Sequence, residues 1–116
     1  METQSSRVAS TDNKTAVVFA GDYLNKLTGE KIERECKLRL DEGCTELIVN
    51  FSQTEIVNSI GVSILLGVID SAANAGARVV FLDVNADTVE LFDMLGVSKH
   101  AAIVKTTNNE QRTTID

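Results

Sequence analysis

The segment VNSIGVSILLG, residues 57–67, sets Asn58, Ser59 and Gly61 in front of a run of apolar residues. Its spacing predicts a helix that begins near Ser59. A serine at that point faces backbone N–H groups without intrahelical partners, at the positive end of the helix dipole. Two roles follow from the position. The hydroxyl can cap the helix, worth about 1 kcal/mol over alanine. It can also accept a phosphate, because helix N-termini bind anions through the same amides. A phosphate would add roughly −1.5 to −2 charges and three acceptor oxygens at neutral pH. On a protein-binding surface that abolishes an interface by repulsion and desolvation. Ser63, one turn further on, shares the face of Ser59. The residues alone leave both roles open.

Other residues with chemical potential lack the companions their chemistry needs. Gly61 and Gly67 are separated by five residues with no Lys-Ser or Lys-Thr after them, so they make no P-loop. No GxGxxG follows the first predicted strand, which removes support for a dinucleotide fold. His100, the sole histidine, lies past the last predicted helix with no nucleophile near it in sequence. Cys36 and Cys44 are eight residues apart, outside any CxxC spacing, and read as two reduced thiols rather than a metal or redox pair. No paired-carboxylate pattern stands out. The chain is therefore read as a non-enzyme without metal or cofactor.

These residues need a frame to hold them. TAVVFAGDY (15–23) is a short apolar run closed by Gly21, and predicts a strand. TGEKIERECKLRLDEG (28–43) places Ile32, Cys36 and Leu40 on one helical face, with Thr28 expected as N-cap and Gly43 as C′. TELIVNFS (45–52) is a continuous apolar run, the pattern of a strand covered on both faces. In the helix predicted over 59–76, Ile60, Ile64, Leu65, Val68, Ile69 and Ala72 recur at helical spacing up to Gly76. ARVVFLDV (77–84) predicts another buried strand. DTVELFDMLGV (87–97) predicts a short helix with Asp87 and Glu90 as its capping box, Gly96 at its end, Leu91, Phe92 and Leu95 in the core and Asp93 solvated. AAIVKT (101–106) predicts the last strand. Strands alternating with helices imply right-handed crossovers and a largely parallel sheet.

The 116 residues suit one domain, and 43% hydrophobic with 24% charged residues is a globular balance. With four Phe, one Tyr and no Trp, aliphatic side chains must fill most of the core. A net charge of −6 argues against nucleic-acid binding, which needs clustered Lys and Arg. The opening METQSSRVASTDNKT is polar and reads as no secretory signal, and the apolar stretch at 60–69 is too short to cross a bilayer. A cytoplasmic protein with no membrane partner is expected. Both termini lack periodicity and are expected to be mobile.

From residue 45 onward the chain resembles the STAS domain of bacterial anti-sigma factor antagonists (anti-anti-sigma factors). That family shows a hydrophobic strand, a loop, Asp-Ser-Ser-Gly and an apolar Gly-containing helix. A Gly, a strand and a helix reading like Leu-Phe-Asp-Met-x-Gly follow. The matching pieces are LIVNFSQTEIVNSIGVSILLG, AGARVVFLDV and VELFDMLGV, and AVVFAGDY is similar to the family's first strand, which ends in Gly-Glu. The likeness covers roughly residues 14–105.

The resemblance implies one α/β STAS domain over residues 1–116, with its core at about 14–105. Its central sheet would be mostly parallel, of about four or five strands, with three to four helices. It further implies an antagonist that binds an anti-sigma factor, a GHKL-type serine kinase, and so releases the sigma factor. Phosphorylation would switch binding off and a PP2C-type phosphatase would restore it. By position the phosphorylated serine is Ser59, the family's Asp is Asn58 and its second Ser is Ile60. Asn58 lacks the family's charge, and Ile60 makes the patch more apolar. The partner surface implied comprises Asp22, Asn25, Asn58, Ser59, Ile60, Gly61 and Ser63, with the loop near Ser98 beside it. The alternative is a STAS scaffold, never phosphorylated, in another signalling or transporter-associated complex. Self-association as a weak homodimer stays open.

Overall fold

Alternation of apolar side chains makes Thr15–Phe19 a strand, β1, with Val18 buried and Val17 and Phe19 exposed. The computed structural model describes residues 14–106, so the expected mobility of the termini falls almost wholly outside the described residues. After β1 come a two-residue strand β2 (Tyr23–Leu24), helix α1 (Lys26–Asp41), β3 (Glu46–Asn50) and a second two-residue strand β4 (Ile56–Val57). Helix α2 (Ser59–Asn74), β5 (Arg78–Leu82), helix α3 (Ala86–Leu95), a 3-10 turn (Val97–Lys99) and β6 (Ala102–Val104) complete the described chain.

The main sheet runs β1-β3-β5-β6, parallel throughout, as the strand–helix alternation requires. Because each new strand is laid on the same side of the last, right-handed crossovers drop every helix onto one face. Buried residues of α1, α2 and α3 accordingly join Val18, Leu47, Val49, Phe51, Val79 and Phe81 in a single core. Beneath α3 the rings of Phe51, Phe81 and Phe92 meet at centroid distances of 5.3 to 5.8 Å, two of the pairs edge-on. Each such pair adds about 0.5–1.5 kcal/mol beyond its burial.

This topology corrects the expectation that β3 is covered on both faces. Leu47 and Val49 are buried but Ile48 is only half-buried, because no described helix lies on the second face. On that face Val17 pairs in register with Ile48, which in turn pairs with Val80, and Phe19 pairs with Asn50, which pairs with Leu82.

Three asparagines, rather than the residues expected from the sequence, start the helices. Asn25 caps α1, its side chain accepting from the Thr28 amide at 3.0 Å while Thr28 Oγ1 accepts from the Asn25 amide at 2.9 Å. Thr28 is thus the third helical residue and not the cap. Asn85 caps α3 through the Thr88 amide at 2.9 Å, which displaces the Asp87–Glu90 capping box; Asp87 instead sits in the first turn. In both cases the residue that keeps extended backbone lies before the hydrophobic period begins, where sequence periodicity carries no signal. Gly43, Gly76 and Gly96 hold positive φ at the helix exits, as expected. Phe92 is buried and Leu91 half-buried, but Leu95 is exposed on the outer side of the last turn of α3.

Candidate functional site

All four main strands point their carboxyl ends the same way, so the loops after β1, β3 and β5 gather at one edge. There β2 and β4 pair in parallel, Tyr23 beside Ile56 and Leu24 beside Val57. Sequence periodicity missed both, since two residues are too few to show a period. They nonetheless bind the first loop to the second. The Asp22 carbonyl accepts from the Glu55 amide at 2.9 Å, and the Leu24 carbonyl accepts from the Asn58 amide at 2.7 Å. Buried Thr54 donates its hydroxyl to the Gly21 carbonyl, and Asn85 Nδ2 donates to the Thr54 carbonyl at 3.3 Å. Three loops are thereby locked together around the start of α2.

At that start the cap is Asn58, whose Oδ1 accepts from the Ile60 amide at 2.7 Å. Ser59 is the first helical residue, exposed, and its hydroxyl makes no hydrogen bond among the described residues. The two roles weighed for this serine therefore fall to two residues: Asn58 does the capping and leaves the Ser59 oxygen unengaged. Ser63 donates its hydroxyl to the Ser59 carbonyl at 3.1 Å, so that side chain is spent on the helix.

Gly61 is buried and has no space for a side chain. A Cβ there would lie 2.8 Å from Leu24 Cγ and 3.1 Å from the Asn25 and Leu24 carbonyl oxygens. A Cβ on Gly29 of α1 would lie 3.4 Å from Gly61 Cα. The first turns of α1 and α2 thus meet backbone to backbone. Of the implied surface residues, Asp22, Ser59, Ile60 and Ser63 are exposed on this edge, and Asn58 is half-buried. Gly61 acts as a spacer and Asn25 is committed to its cap, so both serve the site from beneath. Ser98 is elsewhere. It bonds to Asp93 on the turn leading into β6, at the opposite end of the sheet.

Ile60 points outward, joined by Tyr23, Leu27 and Ile56. Sequence reading did not single out those three. Leu27 carried a faint signal, since it falls off the Ile32–Cys36–Leu40 stripe of α1.

A cleft of about 460 Å³ is open and lies near the far end of α2 beside Arg78, Lys99 and His100, away from Ser59. No group of three or more metal-ligating side chains forms among the described residues. Burial, helped by the negative charges of Glu35, Cys44 and Glu33, pushes the Cys36 thiol up to about 12. Burial also raises Cys44, against the opposing pull of Arg39. Both thiols are free, and neither is poised as a thiolate. No described helix is long and apolar enough to cross a membrane.

A family model for the STAS domain matches residues 7–112, nearly the whole chain. The chain belongs to the STAS domain family. Several solved structures share its fold. The anti-sigma factor antagonist SpoIIAA in its unphosphorylated form superposes with a TM-score of 0.66 at 20% identity, covering 83% of this chain and 84% of that one. The Thermotoga maritima protein TM1081 gives 0.72 at 12% identity over 88% and 80% of the two chains. The SulP transporter STAS domain of Vibrio cholerae gives 0.67 at 18% identity over 78% and 73%. At such identities the likeness is one of fold. No curated protein matches this STAS chain by sequence.

Proposed function

We propose that this STAS domain is an anti-sigma factor antagonist. In its unphosphorylated form it binds a GHKL-type serine kinase acting as anti-sigma factor, and phosphorylation of Ser59 releases it. A PP2C-type phosphatase reverses the modification. The observation that carries the reading is the Ser59 hydroxyl, exposed and unbonded among the described residues at the first position of α2, with the capping done by its neighbour. The hydroxyl can reach a γ-phosphate without breaking any contact of the fold. A phosphate formed there lies at the amino end of a 16-residue helix, which favours the dianion. On the partner side, the same dianion must be desolvated to remain in the interface, so binding is lost. SpoIIAA, a structural neighbour, has been solved in both phosphorylated and unphosphorylated forms.

A second reading is a STAS module that is never phosphorylated. Asn58 and Ile60, which stand where the antagonist pattern has Asp and Ser, favour it, and the SulP transporter domain has an equally similar fold. Incubation with the cognate kinase and ATP separates the two. The antagonist reading expects one phosphate, located at Ser59 by mass spectrometry. Ser59→Ala should bind the kinase as the parent does, and Ser59→Asp should bind it about tenfold or more weakly. Unchanged affinity of Ser59→Asp would sink the switch.

A further inference from the structure

Leu27, Ile56, Ile60 and Tyr23 are 72%, 58%, 53% and 40% exposed. They form one surface. Tyr23 and Ile56 are opposite partners in the β2–β4 pair, and their neighbours Leu24 and Val57 turn inward. Leu27 and Ile60 stand on the first turns of α1 and α2, which Gly29 and Gly61 hold at backbone contact. None of the four belongs to the buried core or is packed against it. The fold itself gains little from them, since apolar side chains in water at a helix start contribute neither capping nor favourable charge. The rim of this surface is acidic. Asp22 and Glu55 lie on hydrogen-bonded backbone next to the Tyr23–Ile56 pair, and neither forms an ion pair among the described residues. Lys26, the cation of the first turn of α1, is committed to Glu30 at 3.0 Å.

We propose that this surface docks a partner element with an apolar face flanked by Arg or Lys, and that Leu27 and Ile60 are its anchors. The inference rests on the antagonist reading only for the identity of the partner; the chemistry of the partner's contact face follows from this chain alone. Apolar anchors desolvated at the centre set the residence time, whereas Asp22 and Glu55 at the rim steer a basic partner and make its association salt-dependent. A second copy of this surface would bring like charges together, and an anionic lipid surface would meet the same repulsion. Ile60 directly follows Ser59, so a phosphate would stand inside the apolar patch, where its desolvation costs most.

The test uses the full chain and two synthetic amphipathic helices of about 16 residues, one with Leu on one face and Arg on its flanks, the other with Glu in place of Arg. Amide chemical shifts are followed by NMR as each is added. The Arg helix should perturb residues 22–29 and 55–61 and weaken as salt rises, while the Glu helix should leave them unmoved. Leu27→Asp with Ile60→Asp, both at exposed positions in a first helical turn, should weaken the Arg helix about tenfold without changing the circular dichroism spectrum or lowering the melting temperature. Asp22→Asn with Glu55→Gln should flatten the salt dependence. Equal binding of the two helices, no binding of the Arg helix at millimolar concentration, perturbation centred elsewhere, or undiminished binding by the double Asp variant would each overturn the proposal. If Ser59 is phosphorylated by the kinase yet these results fail, the antagonist reading stands and the anchors do not. The reverse outcome keeps the anchors and assigns them to a partner other than a kinase.

Discussion

Gly61 sets the distance between two helices with the atom it lacks. In Gly61→Ala the new methyl would press on Leu24 Cγ and on two carbonyl oxygens of the β2–α1 junction, and backbone cannot swing aside as a flexible side chain can. We expect a loss of about 1–3 kcal/mol in urea denaturation, together with altered amide shifts around Ser59. Asn58 offers a contrasting case. Asn58→Ala should cost about 1 kcal/mol through loss of the cap on the Ile60 amide. Asn58→Asp should hold or raise stability, since a carboxylate at the start of α2 meets the positive end of the dipole. Cys36 supplies a pH effect. Its thiol is pushed from an ordinary 9.0 to about 12 by burial, so the folded chain keeps a proton that the unfolded chain gives up. The stabilisation is complete below about pH 9 and is lost as pH rises from there toward 12. Urea titrations across this window should show stability falling, with a shallower fall in Cys36→Ala.

At the scale of elements, the site depends on short pieces that do little on their own. The pair β2–β4 contributes two residues per strand, yet it fixes where α1 and α2 begin. Asn85 does similar double duty, capping α3 and reaching across to the Thr54 carbonyl. Asn85→Ala should therefore cost about 1–2 kcal/mol in chemical denaturation. Asn85→Asp should recover the cap portion and leave the Thr54 carbonyl without its donor. The long helices were legible in the sequence because Ile32 and Cys36, or Leu65, Val68, Ile69 and Ala72, repeat on one face over many residues. Their starting points were not. Asn25 and Asn85 sit outside the periodic stretch, and a nearby Thr or Asp makes an equally good cap on paper.

For the molecule as a whole, the monotonic strand order places the helices on one face of the sheet and leaves the stability unevenly spread. Phe92, at the centre of the aromatic trio, is fully buried, whereas Phe19 on the second face is 64% exposed. Phe92→Ala should cost about 3–5 kcal/mol, and Phe19→Ser should stay within about 0.5 kcal/mol of the parent. Comparing their urea midpoints tests the one-sided core directly. A comparable loss from Phe19→Ser would mean that something covers the second face. The acidic rim beside Ser59 accords with the excess of carboxylates in the chain, 17 Asp and Glu against 11 Lys and Arg.

Local sequence pattern specifies the strand–helix alternation, the parallel sheet, the two long amphipathic helices and the position of Ser59 at a helix start. Each of these rests on local periodicity or on glycine and serine acting within a few residues, so neighbouring residues suffice to specify it. Long-range packing makes Asn58 rather than Ser59 the cap, because both suit that position and the contact of Gly61 with Leu24 and Asn25 sets where α2 begins. Tertiary contacts likewise turned Ile60 outward, gathered Leu27, Tyr23 and Ile56 around it, and removed Ser98 to the far end of the sheet. The segment with Tyr23 and Leu27 lies tens of positions from the one with Ile56 and Ile60, and no period or spacing records that the crossovers will bring the two together.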